Sequence, residues 1–164
     1  VTGLDVEDPV ITHARGLVAA VGLTPRIGLV KVAPGPLPFP PGTFDVVFSK
    51  DSIIHIPDKH ALMAEVFRVL KPGGKLAVSD IVIDGPLPEA VKQSLSAWAG
   101  CVAGAVEAGE YIGMMEAVGF TNVSITPVFF DKEAFHKARG EKKGVNYLYA
   151  DGHIKNLLAI EGTR

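Results

Sequence analysis

The chain has 164 residues, 48% hydrophobic and 21% charged, with 16 basic and 18 acidic side chains. That is enough for one domain with a core of its own, so no disulfide or metal staple is required. A net charge of −2 gives no footprint for nucleic acid, and the longest apolar or glycine run, Ala97 to Val106, falls well short of the roughly 20 residues of a membrane span.

Val1–Leu4 reads as a short apolar strand ending at Asp5. From Asp8 to Val21, Val10, Ala14, Leu17 and Val21 share a helical face with Ile11 and Val18 beside it, and Pro9 fits the first turn. Arg26–Val32 is a second strand, and Ala33–Thr43, with five prolines, is loop. Phe44–Ser49 is a continuous apolar run, the pattern of a strand covered on both faces. Asp58 is placed to cap a helix carrying Leu62, Val66, Val69 and Leu70, which Lys71-Pro-Gly-Gly74 ends. Lys75–Ile83 is the next strand. Pro88 opens a helix whose Val91, Leu95, Trp98 and Val102 share a face, and Glu110–Val118 is a shorter one closed by Gly119. Asn122–Phe130 returns to strand, Asp131–Arg139 has helical character, and Ile154–Ile160 is the last strand.

Strands and helices in alternation imply an α/β fold: a Rossmann-like, doubly wound, mostly parallel sheet with helices on both faces. Such sheets bind ligands beyond the carboxyl ends of their strands. That rule points to Asp5, Ala33–Pro34, Ser49–His55 and Asp80. A carboxylate at Asp5 can accept hydrogen bonds from both hydroxyls of a ribose, but it can equally serve the following helix as cap or dipole partner. Asp51 and His55 stand four residues apart and would share a face if the chain coils helically after Ser49. Histidine is suited to take a proton near neutral pH, and a carboxylate can hold a cation or orient the histidine. The plainer alternative makes Asp51 a turn cap and His55 the filler of a polar gap. His55, Asp58 and His60 straddle a proline and match no zinc-binding spacing, so no metal is expected. No two glycines are separated by one residue, which removes a G-x-G phosphate loop, and no G-x-S-x-G nucleophile elbow occurs.

Two strings carry a family resemblance. Leu37-Pro-Phe-Pro-Pro-Gly-Thr-Phe-Asp45-Val-Val-Phe-Ser49, followed by Phe67-Arg-Val-Leu-Lys-Pro-Gly-Gly-Lys-Leu76 and Ser79-Asp80, resembles the class I S-adenosylmethionine-dependent methyltransferases from Val1 to about Ile125. The resemblance implies S-adenosylmethionine as cofactor, with Asp5, Val6, Ala33, Pro34 and Ser49 at the cofactor-binding positions. Ser-Lys-Asp-x-x-x-His at Ser49–His55 is similar to the phosphoethanolamine and related small-amine N-methyltransferases. There the aspartate matching Asp51 contacts the amine and the histidine matching His55 takes part in catalysis. Trp98–Ala105 is similar to arsenite methyltransferases, where the cysteine matching Cys101 binds arsenic; the other arsenic-binding cysteines have no counterpart.

The chain departs from this pattern in two places. The family's adenine-binding aspartate falls at Ala33, followed by Pro34, and its first strand and glycine-rich loop would precede Val1. The expectation is therefore a single domain, residues 1–164, truncated at its N-terminus. Residues 1–83 would form the cofactor side, and 84–164 the substrate-side helices and last strands. The missing strand would lie between those ending at Asp5 and Ser49, leaving unpaired edges that invite association as a homodimer. The expected partner is a small-molecule methyl acceptor, with neither nucleic acid nor membrane. The single cysteine, Cys101, fits a cytoplasmic setting. The alternative from another class is a truncated or degenerate fold without catalysis, acting as an interaction or structural module.

Overall fold

The computed structural model describes residues 1–83, 89, 93, 104–128 and 154–164, and for 127, 128 and 154–161 the backbone alone. The helix expected after Pro88, Cys101 and the segment Asp131–Arg139 lie outside the described residues. Two compact units are present, Val1–Phe39 and Pro40–Arg164.

The first unit is a strand–helix–strand. β1 (Thr2–Asp5) pairs in parallel with β2 (Gly28–Lys31), from Thr2 opposite Gly28 to Asp5 opposite Lys31. Between them runs α1 (Asp8–Ala20), with Pro9 in its first turn. Gly22 at φ +69° ends the helix, its N–H bonding Ala19 O while Leu23 N–H reaches Val18 O. That pair of bonds is the usual glycine-terminated helix end. The helix buries Ile11, with Ala14 and Val18 half-buried, whereas Val10, Leu17 and Val21 are exposed. The apolar stripe thus lies one row over from its expected place.

The second unit holds a mixed sheet in the order β3-β4-β7-β6, with β5 also on β4. Its strands are β3 (Phe44–Lys50), β4 (Leu70–Ile83), β5 (Val106–Glu107), β6 (Thr121–Val128) and β7 (Ile154–Thr163). β3 and β5 run parallel to β4, while β7 lies antiparallel between β4 and β6. A short 3-10 turn (Ile53–His55) and α2 (Lys59–Val69) connect β3 to β4, and α3 (Ala108–Ala117) follows β5. Asp58 caps α2 by accepting from Ala61 N at 2.8 Å.

One hydrophobic core gathers Ile53, Met63, Val66, Leu76, Val78 and Val82 with Tyr111, Met115 and Phe120. Phe67 meets Phe120 edge to face at 5.2 Å, and the Arg164 guanidinium stacks on Phe67 at 4.8 Å. β3 differs from expectation: Val47 packs against the core, but Val46 and Phe48 are 58% and 67% exposed. An unbroken apolar run has two rows of side chains, and only one of them is covered by this unit's core. β1 and β3 each keep one edge that pairs with no strand among the described residues. Among those residues, no helix is long and apolar enough to cross a membrane.

The Lys-Pro-Gly-Gly segment does not simply end a helix. Phe44 pairs with Leu70 and Val46 with Lys75, so Asp45 alone faces the four residues 71–74, which bulge from the strand. Lys71 Nζ donates to Asp45 Oδ1 at 2.7 Å across it. A Cβ on Gly74 would lie 2.8 Å from Lys71 O and 3.2 Å from Asp45 O, both fixed backbone atoms. Gly74→Ala is therefore expected to cost about 2 kcal/mol in chemical denaturation, the usual scale of overpacking. Unchanged stability would mean the bulge can open freely.

Candidate active site

In the first unit, the carboxyl ends of two neighbouring parallel strands bring four of the expected residues together. Asp5 ends β1 and its backbone carbonyl accepts from Val32 N at 2.9 Å, so Ala33 and Pro34 leave β2 beside it. The Asp5 carboxylate is half-buried, and Oδ1 spans Val6 to accept from Glu7 N at 2.8 Å. One oxygen thus serves the turn into α1, while the helix N-cap is Glu7. Val6, Ala33 and Pro34 are exposed. Neither alanine nor proline offers a side-chain hydrogen bond, and proline lacks the backbone donor as well.

In the second unit, the equivalent sheet end carries Ser49, Asp51, His55 and Asp80. Lys50 lies opposite Ser79 at the last rung of the β3–β4 ladder, and Asp51 N–H still bonds Ser79 O at 2.8 Å. The chain then reverses at Asp51, whose φ is +50°. Aspartate is among the few side chains that enter the left-handed region readily. Ser52 Oγ donates back to Lys50 O at 2.8 Å, and one 3-10 turn follows, closed by His55 N–H on Ser52 O and Ile56 N–H on Ile53 O. Asp51 and His55 therefore do not share a helical face, because the residue that would start the helix turns the other way. Both are exposed, on a turn pinned by Ile53 in the main core and by Ile54 against Ile83 and Ala105.

Beneath that turn lie polar groups of which sequence reasoning singled out Asp80 alone, as a residue at the ligand-binding end of the sheet. Asp80 is 2% exposed and sits on the same face of β4 as Leu76, Val78 and Val82. Its Oδ2 accepts from Ile54 N at 2.8 Å and its Oδ1 from Ile81 N at 3.0 Å. Lys59, 9% exposed, heads the buried row Lys59, Met63, Val66 of α2 and donates to Ile54 O at 3.2 Å and Ile56 O at 2.8 Å. Tyr111, 1% exposed, shares the buried face of α3 with Met115, and its hydroxyl has no hydrogen-bond partner among the described residues. Burial pushes the Asp80 carboxyl above the ordinary carboxylate range, with Asp51 adding to the rise and two backbone amides and Lys59 opposing it. Burial also lowers the Lys59 ammonium, against the pull of Asp80 and Glu110, and raises the Tyr111 phenol, helped by Asp80. The signal for all three was a polar residue standing in an apolar row. Among the described residues no three histidines, cysteines or carboxylates converge as a metal site.

Comparison with known proteins adds the family. A family model described as a methyltransferase domain matches residues 1–143. The arsenite methyltransferase of Halobacterium salinarum is 34% identical over 130 residues, 77% of this chain and 32% of that protein. Phosphoethanolamine N-methyltransferase 1 of Arabidopsis thaliana is 34% identical over 123 residues, 75% of this chain and 24% of that one. The chain thus spans about a third or less of the length of these relatives. A solved geranyl diphosphate methyltransferase in complex with S-adenosylmethionine superposes with a TM-score of 0.83 at 17% identity, covering 100% of this chain and 68% of that one. The shared architecture is the Rossmann-like α/β fold, and the chain belongs to the methyltransferase domain family.

Proposed function

We propose that the protein containing this chain transfers a methyl group from S-adenosylmethionine to the nitrogen of a small amine. The observation that carries this reading is the turn at the carboxyl end of β3, which presents Asp51 and His55 from a backbone held by β4. A relative named for phosphoethanolamine supports the amine, and its named counterpart for arsenite shows how wide the acceptor range of such relatives is.

The residues of the first unit fit the cofactor in part. Asp5, with one oxygen engaged by Glu7, has the chemistry to take ribose hydroxyls, while Val6, Ala33 and Pro34 would supply apolar contact to an adenine ring. Once bound, S-adenosylmethionine supplies an electrophilic methyl on a sulfonium, whose positive charge disappears as the methyl leaves. The protein's task is then chiefly alignment and exclusion of water. Asp51 would hold the amine by its charge, and His55 would accept the proton the nitrogen loses, directly or through one water.

A second reading, a fold that no longer binds the cofactor and serves as an interaction module, is favoured by one observation. The adenine-binding carboxylate that the resemblance implies is replaced by Ala33, followed by Pro34, and neither carries a side-chain hydrogen-bonding group. Calorimetric titration with S-adenosylhomocysteine separates the two. Methyl transfer requires saturable binding, with a dissociation constant expected at about micromolar, near −8 kcal/mol. No heat at high protein concentration would reject the enzyme and favour the module.

A further inference from the structure

We propose that Lys59 and Asp80 are a pair of positioning residues that fix the orientation of the turn carrying Asp51 and His55. The pair takes hold of one residue from both sides, through the two peptide groups that flank Ile54. Asp80 Oδ2 accepts the N–H of Ile54, and Lys59 Nζ donates to the C=O of the same residue and to that of Ile56. Asp51 precedes this grip by three residues, and His55 follows Ile54 directly.

The turn needs such a hold. It is one 3-10 turn long, closed by two backbone hydrogen bonds, and an isolated turn of that size is unstable in water. Ile53 and Ile54 anchor it in depth, since they pack into separate apolar clusters. Apolar packing is non-directional and leaves the twist of the peptide plane open. Charge-assisted contacts to the two successive peptides that flank Ile54 set that twist.

Stability alone does not account for the pair. Burying a charged group costs desolvation that an apolar residue of equal volume would avoid, so two such groups bonded to the backbone of one turn point to geometry rather than to net energy. Asp80 is also anchored independently of the turn by Ile81 N–H, and Lys59 by its place in the first turn of α2. The hold is therefore fixed to the sheet and to a helix, and does not move with the loop.

The inference rests on the reading of His55 as the base, but its structural half can be tested without any turnover. Lys59→Met keeps the stem and removes the charge, and Asp80→Asn keeps one acceptor and removes the other. Amide hydrogen exchange of each variant in the protein containing this chain should show Ile54, His55 and Ile56 exchanging at least about tenfold faster, while Val78 in β4 stays within a few-fold. In the same variants kcat for methyl transfer should fall about 100-fold, with KM and the affinity for S-adenosylhomocysteine nearly unchanged. Equal acceleration of Ile54 and Val78, or no acceleration at Ile54, would overturn the proposal, as would kcat unchanged in a variant whose turn exchanges fast. Should Asp80→Asn not fold, Lys59→Met alone decides through its Ile56 amide and kcat. If the parent protein moves no methyl group, the functional reading falls while the exchange pattern still decides the positioning role.

Discussion

Asp80→Leu is expected to cost the chain about 2–5 kcal/mol, chiefly the scale of leaving two amides without their acceptor. Two effects combine. Lys59 stays buried among Met63 and Val66 with its opposing charge gone, and the amides of Ile54 and Ile81 lose their acceptor. Adding Lys59→Met should recover part of the loss by removing the stranded ammonium, but not the share of the two amides, each about 1–3 kcal/mol. Denaturant unfolding of the two single variants and the double variant measures the coupling directly. Strictly additive losses would show that the two groups do not sense one another.

The same site fixes a pH dependence. Burial raises the Asp80 carboxyl above its ordinary value, so between the ordinary and raised values the folded chain holds a proton that the unfolded chain has released. The Asp80 contribution is thus fully present below the ordinary carboxylate value and declines as pH climbs through the raised one. Lys59 acts oppositely. Its lowered ammonium makes stability rise with pH between that lowered value and the ordinary lysine value.

The legible part of this molecule was whatever repeats at a fixed period or breaks the chain. Strand and helix positions followed from apolar rows, and Asp58 and Pro9 sat where helix starts require them. Ser49 to His55 was recognisable as a polar turn at a sheet end because an apolar run of strand length delivers it there. What could not be read is pairwise geometry. Nothing in the spacing of Asp51 and His55 shows that Asp51 takes a left-handed backbone, since aspartate populates both states at small cost. The bulge at 71–74 depends on register with Asp45, a partner some 26 residues away. The exposure of Val46 and Phe48 depends likewise on what covers β3 rather than on their own hydrophobicity. Asp80 was legible only as a residue at the sheet end, and Lys59 and Tyr111 each stand as a lone polar residue in an apolar row. Only their convergence beneath one turn gives them a joint meaning.

His55→Ala tests the chemistry itself. A positioned base contributes about 10²–10⁴-fold to rate, so kcat in the protein containing this chain is expected to fall by at least about 100-fold. The backbone should be indifferent, because the bond that closes the turn comes from the His55 amide and survives truncation of an exposed side chain. Affinity for S-adenosylhomocysteine should also stay within a few-fold, since Asp5 lies on another strand. The residual rate should climb toward high pH, where the amine loses its proton without help. Asp51→Asn makes the complementary case: asparagine tolerates the same left-handed backbone, so the turn persists while the charge that would hold a cationic amine is gone. Its signature should be a KM raised about tenfold or more, the worth of one charge-assisted contact, with kcat less affected. Full turnover in His55→Ala would remove the histidine from the chemistry. An unchanged KM in Asp51→Asn would mean that no cation is held at the turn, and the acceptor would then have to be sought among uncharged nucleophiles.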